Sequence, residues 1–524
     1  MDIARIGGGE TQRFDAETVG AKAANLARMA ALGLPVPPAF VLPIEQCEAI
    51  ATGGRRAQKF IESLAEGIAF LEQATGKVFG DARRPLLVSV RSGAARSMPG
   101  MLDTVLDVGC TGAAVHGLVR MTGNPRFAWD CRRRFLESYG EVVLGIDKAQ
   151  FAARCAALKV ADSDFDSEEL ERLSLDFQQV IENEDEKLPD DPMEQLEAAA
   201  LAVYRSWGSA RARTYRQLQS LENLKGTAVT VQAMVFGNRC RSSGAGVAFS
   251  RDPSTGIARP VIDVLFESQG EDVVSGNRTP ETEDAIVRRA PQAAAQLRET
   301  LMRLEKEFAD VQDVEFTVEK GKLWILQTRS AKRTPLAAFK FAIDFVKEGL
   351  LTLPQALQLL NDVDINALAH RRFAGVHEPI ARGNGASAGV AVGRAAFDSD
   401  SAQRLAGRGE AVILVRPDTS TADVAGFAAS AGIVTATGGR TAHAALVARQ
   451  MGKPCIVGCA GLVVDAASHN AHVADAAIQQ GDWLSIDGEA GTIYRGRCDV
   501  VVERPDAEIA EIERWRAKSS FASV

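Results

Sequence analysis

The sequence predicts a mixed α/β and α+β protein of several domains, and three observations support this. The chain has 524 residues, which exceeds one ordinary hydrophobic core and suggests about three or four domains. Residues 125–220 have helical patterning, whereas residues 226–276 combine strand-like runs with many glycines. After Gly383, short strands alternate with turns and helices, which predicts a compact α/β domain that ends near residue 500.

The overall composition is that of a soluble globular protein. Hydrophobic residues make up 46% and charged residues 24% of the chain. The net charge of -8 and the aromatic content of 6% argue against a nucleic-acid partner. The sequence has no secretory signal and no apolar run long enough to span a membrane. Eight cysteines are scattered without a CxxC pair, so we expect a reduced, cytoplasmic protein.

Three segments in the first half of the chain have clear secondary-structure signals. Val19–Leu32 is alanine-rich and amphipathic, and Gly33 followed by Pro35 predicts where this helix ends. The β-branched run Leu86–Arg91 predicts a short buried strand, and Gly226–Gln232 predicts another. Further along, residues 335–380 predict a helical connector.

A predicted β-hairpin and two cationic side chains stand out as a candidate binding site. The strands are Val314–Val318 and Leu323–Gln327, joined by a turn at Glu319–Lys322. The polar residues that alternate on these strands are Asp313, Glu315, Gln327 and Arg329. Polar groups on one face of apolar strands indicate a site, although salt bridges within a sheet would give the same pattern. Lys22 and Arg91 provide further positive charge at a helix and at the end of a buried strand.

The most informative segment is Thr437–Arg449, which contains His443. A strand at Ile433–Val434 leads into a glycine turn, and a helix follows, so His443 lies in the first helical turn. The N–H groups and partial positive charge of a helix start disfavour imidazolium and favour a bound phosphate. The imidazole would therefore stay neutral and nucleophilic. The alternative is a histidine that only caps or packs at a helix end.

This segment resembles a known family signature. Thr437–Cys459 is similar to the phosphohistidine signature of the phosphoenolpyruvate-utilising enzymes, which include pyruvate, phosphate dikinase and phosphoenolpyruvate synthase, and Val412–Ser420 continues the match. The resemblance implies that His443 carries a phosphoryl group on a swivelling domain. Thr441 matches a threonine that is a regulatory phosphorylation site in some plant and bacterial members.

The sequence departs from this family at two positions beside the histidine. Arg440 stands where the family usually has methionine, and Ala442 stands where it usually has serine. Arg440 therefore adds a positive charge near His443, which would strengthen phosphate binding.

The N-terminal half resembles the ATP-grasp domain of pyruvate, phosphate dikinase. The similar stretches are Val88–Leu106, Gly226–Phe236, Ser242–Gly256, Ser268–Val274 and Gln312–Arg329. No GxxxxGK[ST] motif is present, so the chain is not a P-loop protein. Gly383–Ala388 resembles a dinucleotide fingerprint but lacks the flanking strand and long helix, so we expect only a turn that opens the histidine domain.

The resemblance implies a role for each candidate residue in an ATP site. Lys22, Arg91 and Arg329 would hold the phosphates. Glu271 and Asp313 would contact the nucleotide or its metal. The implied Mg²⁺ ligands are Glu315 and Gln327.

The resemblance also implies a domain order. We expect an ATP-grasp domain at 1–334 with a helical insert at about 112–220, and a helical connector and hinge at 335–384. A swivelling phosphohistidine domain would follow at 385–503, and a helical tail at 504–524. Full dikinases of this family continue into a TIM barrel that binds pyruvate or phosphoenolpyruvate, and no barrel sequence follows here.

The expected function is ATP-dependent autophosphorylation of His443 with release of AMP, with inorganic phosphate as co-substrate giving pyrophosphate. A separate barrel protein, or another acceptor, would then take the phosphate. Two alternatives remain open at this point. The chain could transfer phosphate by itself to a small acceptor other than pyruvate, or it could bind ATP as a regulatory protein without turnover. A piece of a longer enzyme would give the same sequence.

Overall fold

The computed structural model describes most of the chain in two compact units. The described residues are 3–47, 58–96, 98, 101–159, 164–275, 278–361, 363–364, 368–375, 378–418, 423–440, 442–465, 468–473 and 476–521. The first unit comprises Met1–Ser243 with Leu323–Thr328, and the second comprises Gly244–Lys322 with Arg329–Val524. The domain boundaries predicted at 334, 384 and 503 stay a prediction.

The first unit contains an antiparallel sheet covered by helices. Its strands are β1 (Ala4–Ile6), β2 (Ala39–Leu42), β3 (Val78–Phe79), β4 (Pro85–Leu86), β5 (Val88–Ala94), β6 (Thr104–Val108) and β7 (Thr227–Ala233). Five of them form one sheet in the order β1-β2-β7-β5-β6, with antiparallel neighbours throughout. The strand predicted at Leu86–Arg91 is found as β4 and β5, and β7 matches the strand predicted at Gly226–Gln232.

Helices lie between these strands along the chain. They are α1 (Ala16–Val19), α2 (Ala21–Ala31), α3 (Gln58–Thr75), α4 (Gly112–Thr122), α5 (Pro125–Val142), α6 (Lys148–Ala157), α7 (Ser167–Asn183), α8 (Pro192–Ser206) and α9 (Ala210–Leu218). The predicted first helix is interrupted at Gly20, whose φ is 82°. Helix α5 carries Phe127, Phe135 and Tyr139 into a core shared with α3, α7 and α8. Several helices of this unit have N-terminal caps of the expected type, such as Asp166, which forms a capping box with Glu169.

The second unit begins with another antiparallel sheet. Its first strands are β8 (Gly244–Phe249), β9 (Val261–Phe266), β10 (Glu281–Thr282), β11 (Gln312–Glu319) and β12 (Lys322–Ser330), and Leu323–Thr328 of β12 belong to the first unit. Neighbours follow the order β10-β9-β8-β11 and are antiparallel. Lys320 and Gly321, both with positive φ, form the tight turn between β11 and β12.

The remaining helices and strands also belong to the second unit. The helices are α10 (Gly270–Ser275), α11 (Glu283–Arg289), α12 (Pro291–Phe308), α13 (Pro335–Lys347), α14 (Leu353–Leu359), α15 (Ser399–Gly407), α16 (Val424–Ala429), α17 (His443–Gln450) and α18 (Asp506–Phe521). The strands are β13 (His370–Phe373), β14 (Ala381–Arg382), β15 (Asn384–Ser387), β16 (Val390–Ala396), β17 (Val412–Arg416), β18 (Gly432–Thr435), β19 (Cys455–Val457), β20 (Leu462–Asp465), β21 (Asn470–Val473), β22 (Ala476–Gln479), β23 (Trp483–Asp487), β24 (Thr492–Arg495) and β25 (Val500–Glu503).

An eight-stranded mixed sheet organises the C-terminal part. Its order is β14-β24-β23-β16-β17-β18-β19-β15. The four central strands β16 to β19 run parallel, and α15, α16 and α17 form the crossovers between them. Apolar clusters lie on both faces of this sheet, as a parallel arrangement requires. The predicted mixed α/β multidomain class is therefore confirmed.

Two stretches differ from the sequence prediction. The connector predicted to be helical over 335–380 contains strand β13, because His370–Phe373 pair antiparallel with β25. Gly383–Ala388 was expected to be a turn, but Asn384–Ser387 forms β15, which pairs antiparallel with β19. Gly385 and Gly383 fit here because neighbouring main chain approaches them closely, leaving no room for side chains. The glycines that resemble a nucleotide fingerprint thus serve strand packing.

Within the described ranges, the helices are too short or too polar to cross a bilayer.

Candidate functional site

His443 is the first residue of α17, and the preceding turn connects this helix to β18. The N-terminal cap residue of α17 is Ala442, which has no side chain able to accept from the free N–H groups. No described side chain caps this helix start, and phosphate binding by its N–H groups stays a prediction. Thr441 and the side chain of His443 lie outside the described residues.

Buried charged groups fix both main-chain polar groups of Arg440, three residues before His443. The N–H of Arg440 donates to Oδ2 of Asp263 at 2.7 Å. The carbonyl oxygen of Arg440 accepts from Nη2 of Arg449 at 2.8 Å. Asp263 comes from β9 and Arg449 from the second half of α17, so the turn is held from two sides.

Arg449 has no access to solvent and braces the start of its own helix. Its exposed fraction is 1%. Besides Arg440, it donates through Nη1 to the carbonyl oxygen of Ala386 on β15 at 2.8 Å. The guanidinium carbon lies 5.2 Å from the centre of the Phe249 ring, in a cation–π arrangement. Sequence reasoning did not single out Arg449 or Asp263, because their partners are main-chain groups far away in sequence.

Gly439 is required where this turn meets β9 and the residue before β10. A Cβ atom at Gly439 would lie 2.6 Å from Cγ of Pro280 and 2.9 Å from Oδ2 of Asp263. Any side chain would therefore push the turn away from Asp263 and break its hydrogen bond with Arg440. The sequence predicts that glycines in this turn let the backbone approach another group closely. At Gly439 the groups approached are Pro280 and Asp263 of the protein itself.

The electrostatics of Asp263 reflect this burial. Loss of solvent raises the pKa of the Asp263 carboxyl above its ordinary range, and the positive charge of Arg440, the hydrogen bond from its N–H and the charge of Arg449 offset part of that rise. The carboxyl thus depends on the histidine turn for its stabilisation.

Asp313 and Arg329, two of the predicted site residues, form an ion pair. Nε of Arg329 lies 2.8 Å from Oδ2 of Asp313. The other carboxylate oxygen, Oδ1, is buried and has no hydrogen-bond partner among the described residues. Burial raises the pKa of Asp313 while Arg329 opposes the rise, and nearby Glu315 adds to it.

The carboxylate of Asp313 suits a hard cation such as Mg²⁺ or a hydrogen-bond donor of a nucleotide. Asp313 and Glu315 alternate on β11, so two carboxylates share one strand face. An unsatisfied buried carboxylate oxygen is a suitable ligand for Mg²⁺, which prefers oxygen and takes few protein ligands. No set of three or more His, Cys, Asp or Glu side chains with metal-binding geometry occurs in the part of the chain that the structure describes.

The first unit holds three more of the predicted residues. Lys22 lies on α2, Arg91 on β5 and Gln327 on β12. Gly20 packs so tightly on Gly93 of β5 that an added Cβ would lie 2.1 Å from the Gly93 oxygen. This contact fixes the start of α2, and hence Lys22, against the strand that carries Arg91.

A side-chain hydrogen bond joins α2 to the strand that carries Gln327. Nδ2 of Asn25 donates to the carbonyl oxygen of Thr328 at 3.0 Å. Nε of Arg91 is buried and lacks a hydrogen-bond partner within the described ranges. The structure therefore brings the elements of Lys22, Arg91 and Gln327 together, and leaves donor capacity on Arg91.

The other predicted residues lie in the second unit. Glu271 is in the first turn of α10, and Asp313, Glu315 and Arg329 are on β11 and β12. A cleft of about 510 Å³ also occurs in this unit. Its lining includes Arg288, Arg382 and Gly458 but none of the predicted nucleotide or metal residues, so the cleft does not mark the predicted site.

Comparisons with known proteins assign both halves of the chain. Residues 56–291 and 283–348 match the family described as the pyruvate phosphate dikinase AMP/ATP-binding domain. Residues 408–491 match the mobile domain of PEP-utilising enzymes.

Curated relatives are similar along nearly the whole chain. Pyruvate, phosphate dikinase 2 of Oryza sativa subsp. japonica is 41% identical over 509 residues, covering 95% of this chain and 57% of the relative. The pyruvate, phosphate dikinase of Clostridium symbiosum is 40% identical over 514 residues, covering 95% and 59%. That of Rhizobium meliloti is 40% identical over 545 residues, covering 99% and 60%. The chain thus spans less than two thirds of the length of these relatives.

Proposed function

Because the chain belongs to the pyruvate, phosphate dikinase family, we propose that it transfers a phosphoryl group from ATP to His443 and then to an acceptor. The acceptor is bound by another protein or domain. The observation that carries the proposal is the turn before His443, which buried Asp263 and Arg449 hold in place at an uncapped helix start.

The loading reaction begins with attack on ATP. A ring nitrogen of neutral His443 attacks the β-phosphorus, a nitrogen–phosphorus bond forms, and the bond from the β-phosphorus to the α,β-bridging oxygen breaks. AMP leaves with that oxygen and its electron pair. Inorganic phosphate then attacks the γ-phosphorus, the bond from the γ-phosphorus to the β,γ-bridging oxygen breaks, and pyrophosphate departs. The bridging oxygen and its electron pair stay with the β-phosphoryl group on His443. The helix start favours the neutral imidazole and provides N–H groups for the phosphoryl oxygens.

The predicted ATP residues neutralise and orient the polyphosphate. Lys22 and Arg91 come from two packed elements of the first unit, which supports a common role for their positive charges. Arg329 adds a third cation, and its ion pair with Asp313 fixes the direction of the guanidinium group. Glu271 contacts the nucleotide.

Mg²⁺ would be held by Glu315 and Gln327, with the free oxygen of Asp313 available as a further ligand. When bound, it would offset the negative charge of the phosphates. Asp313 also keeps Arg329 oriented, so its substitution affects both the cation and the phosphate contacts.

Labelling from ATP tests the proposal. β-labelled ATP, Mg²⁺ and phosphate should give an acid-labile, base-stable label on the protein, with release of AMP in equal amount. His443→Ala should remove the label, whereas His472→Ala, at an exposed position of β21 in a separate three-stranded sheet, should retain it. Pyrophosphate should form only when inorganic phosphate is present. A wild-type chain that stays unlabelled, or a His443→Ala variant that keeps its label, contradicts the proposal.

A further inference from the structure

The side chain of Arg440 has no hydrogen-bond partner within the described ranges. Its main-chain N–H and carbonyl are bound by Asp263 and Arg449. Its guanidinium group makes no hydrogen bond or ion pair with any residue that the structure describes, and Nε is buried. The side chain is only partly exposed, so water does not fully replace the missing partners.

The neighbouring carboxylate, Asp263, interacts electrostatically with Arg440 but forms no ion pair with its guanidinium group. Asp263 uses Oδ2 to accept from the N–H of Arg440. In the described part of the chain no ion pair joins Asp263 to the Arg440 guanidinium group. Arg449, the other nearby cation, directs both of its Nη atoms to main-chain carbonyls of Ala386 and Arg440. Both Nη donors of Arg449 are therefore occupied and only its buried Nε lacks a described partner, whereas the Arg440 guanidinium group has no hydrogen bond to any described residue.

The position of Arg440 close to His443 indicates a ligand for its guanidinium donors. It precedes His443 by three residues, a main-chain span of at most about 10 Å, which a long arginine side chain can cover. The first turn of α17 has no side-chain cap, so its N–H groups can bind the same phosphoryl oxygens. Guanidinium groups bind phosphate through two parallel N–H donors.

We propose that Arg440 binds the phosphoryl group carried by His443. This inference rests on the proposed function and extends it by assigning a phosphoryl-binding residue on the histidine module itself. Asp263 lies on β9, outside the histidine module, so its bond to Arg440 does not travel with the module. Arg449 belongs to the module, and its bond keeps Arg440 near His443 wherever the module moves. The residues of the ATP site cannot bind the phosphoryl group once it has left them.

The test measures the phosphoryl group directly by ³¹P NMR. Phosphoramidate phosphorylates histidines without ATP, and the resonance lost in His443→Ala identifies phospho-His443. A guanidinium contact favours the dianionic phosphoryl group, so its pKa in the wild type should lie below that in Arg440→Met by about one unit, a tenfold effect. Arg440→Lys should restore part of the difference.

A matched variant distinguishes a direct contact with the phosphoryl group from a general effect of positive charge on its pKa. Arg408→Met removes an exposed arginine at the end of α15 in the same module and should leave the phosphoryl pKa unchanged. The inference is overturned if Arg440→Met titrates like the wild type, or if Arg408→Met shifts the pKa equally. Should Arg440→Met fail to fold, Arg440→Gln takes its place in the comparison.

The two proposals fail in different ways. A wild type that takes no label from ATP but shows the Arg440-dependent pKa after phosphoramidate treatment contradicts the proposed function alone. A wild type that is labelled by ATP, with a phosphoryl pKa independent of Arg440, contradicts the present inference alone.

Discussion

The guanidinium group of Arg449 donates a hydrogen bond to the carbonyl oxygen of Arg440 at 2.8 Å. One residue lies near the end of α17 and the other just before its start, so the helix fixes the turn from which it begins. This bond and its counterpart to Asp263 hold the main chain three residues before His443. The first two predictions test these two anchors.

Arg449→Met should destabilise the protein by about 3 kcal/mol, because two main-chain carbonyls lose a charged donor in a buried place. Chemical denaturation followed by circular dichroism measures this loss. Where the variant is still folded, labelling of His443 should be at least about tenfold slower, since small displacements are costly in phosphoryl transfer. Arg495→Met, at a side chain that is 60% exposed, should cost less than about 1 kcal/mol. Equal effects of the two substitutions would contradict a special role for Arg449.

Asp263→Asn should change how stability depends on pH. Burial raises the pKa of Asp263 in the folded protein. The folded state therefore binds the Asp263 proton more tightly than the unfolded chain does. This stability contribution is complete below the ordinary carboxyl pKa and is lost as pH rises through the raised value. Asparagine can still accept from the Arg440 N–H but does not titrate.

The measurement is the free energy of unfolding of both proteins between about pH 4 and pH 8. The difference, variant minus wild type, should increase with pH. A difference that is constant or falls with pH would show that Arg440 and Arg449 outweigh the effect of burial.

Asp313→Asn should impair loading of His443 from ATP by at least about a hundredfold, because it weakens the hold on Arg329 and removes a carboxylate with a free oxygen. The matched control is Asp310→Asn. Asp310 uses both carboxylate oxygens to bind Arg333 at 2.6 and 2.7 Å, so it has no oxygen left for a ligand. Its substitution should lower stability but leave the nucleotide dependence of labelling unchanged. Similar loss of labelling in both variants at equal folded fraction would argue against a ligand at Asp313.

Gly20→Ala should unfold or strongly destabilise the first unit, by about 3 kcal/mol or more. The added Cβ would overlap the carbonyl oxygen of Gly93, and the φ of 82° is itself unfavourable for alanine. ATP binding, followed by calorimetry, should weaken because Lys22 and Arg91 lose their common support. Gly33→Ala also has positive φ but meets no atom within 4 Å, so it should cost only about 1 kcal/mol. Comparable melting temperatures for the two variants would contradict this account.

Local patterns in the sequence were sufficient for several elements of the structure. The strand, glycine turn and helix around His443 follow from β-branched residues, Gly438 and Gly439, and an alanine-rich run, and they are found as β18 and α17. The parallel α/β arrangement of the C-terminal part follows from the same alternation. The prediction of a turn at Gly383–Ala388 was wrong, because this segment pairs with β19, which lies about 70 residues away in sequence.

The sequence alone determined the fold class, the family and the position of His443 at a helix start, since each depends on short-range order along the chain. Only the tertiary structure decided what holds the histidine turn: Asp263 lies 177 residues before the N–H that it accepts from. Such contacts leave no periodic signal, because their partners are main-chain groups that every residue has. The tertiary structure also decided which arginine is structural. Both Nη atoms of Arg449 donate to main-chain carbonyls, whereas the Arg440 guanidinium group has no hydrogen bond to any described residue.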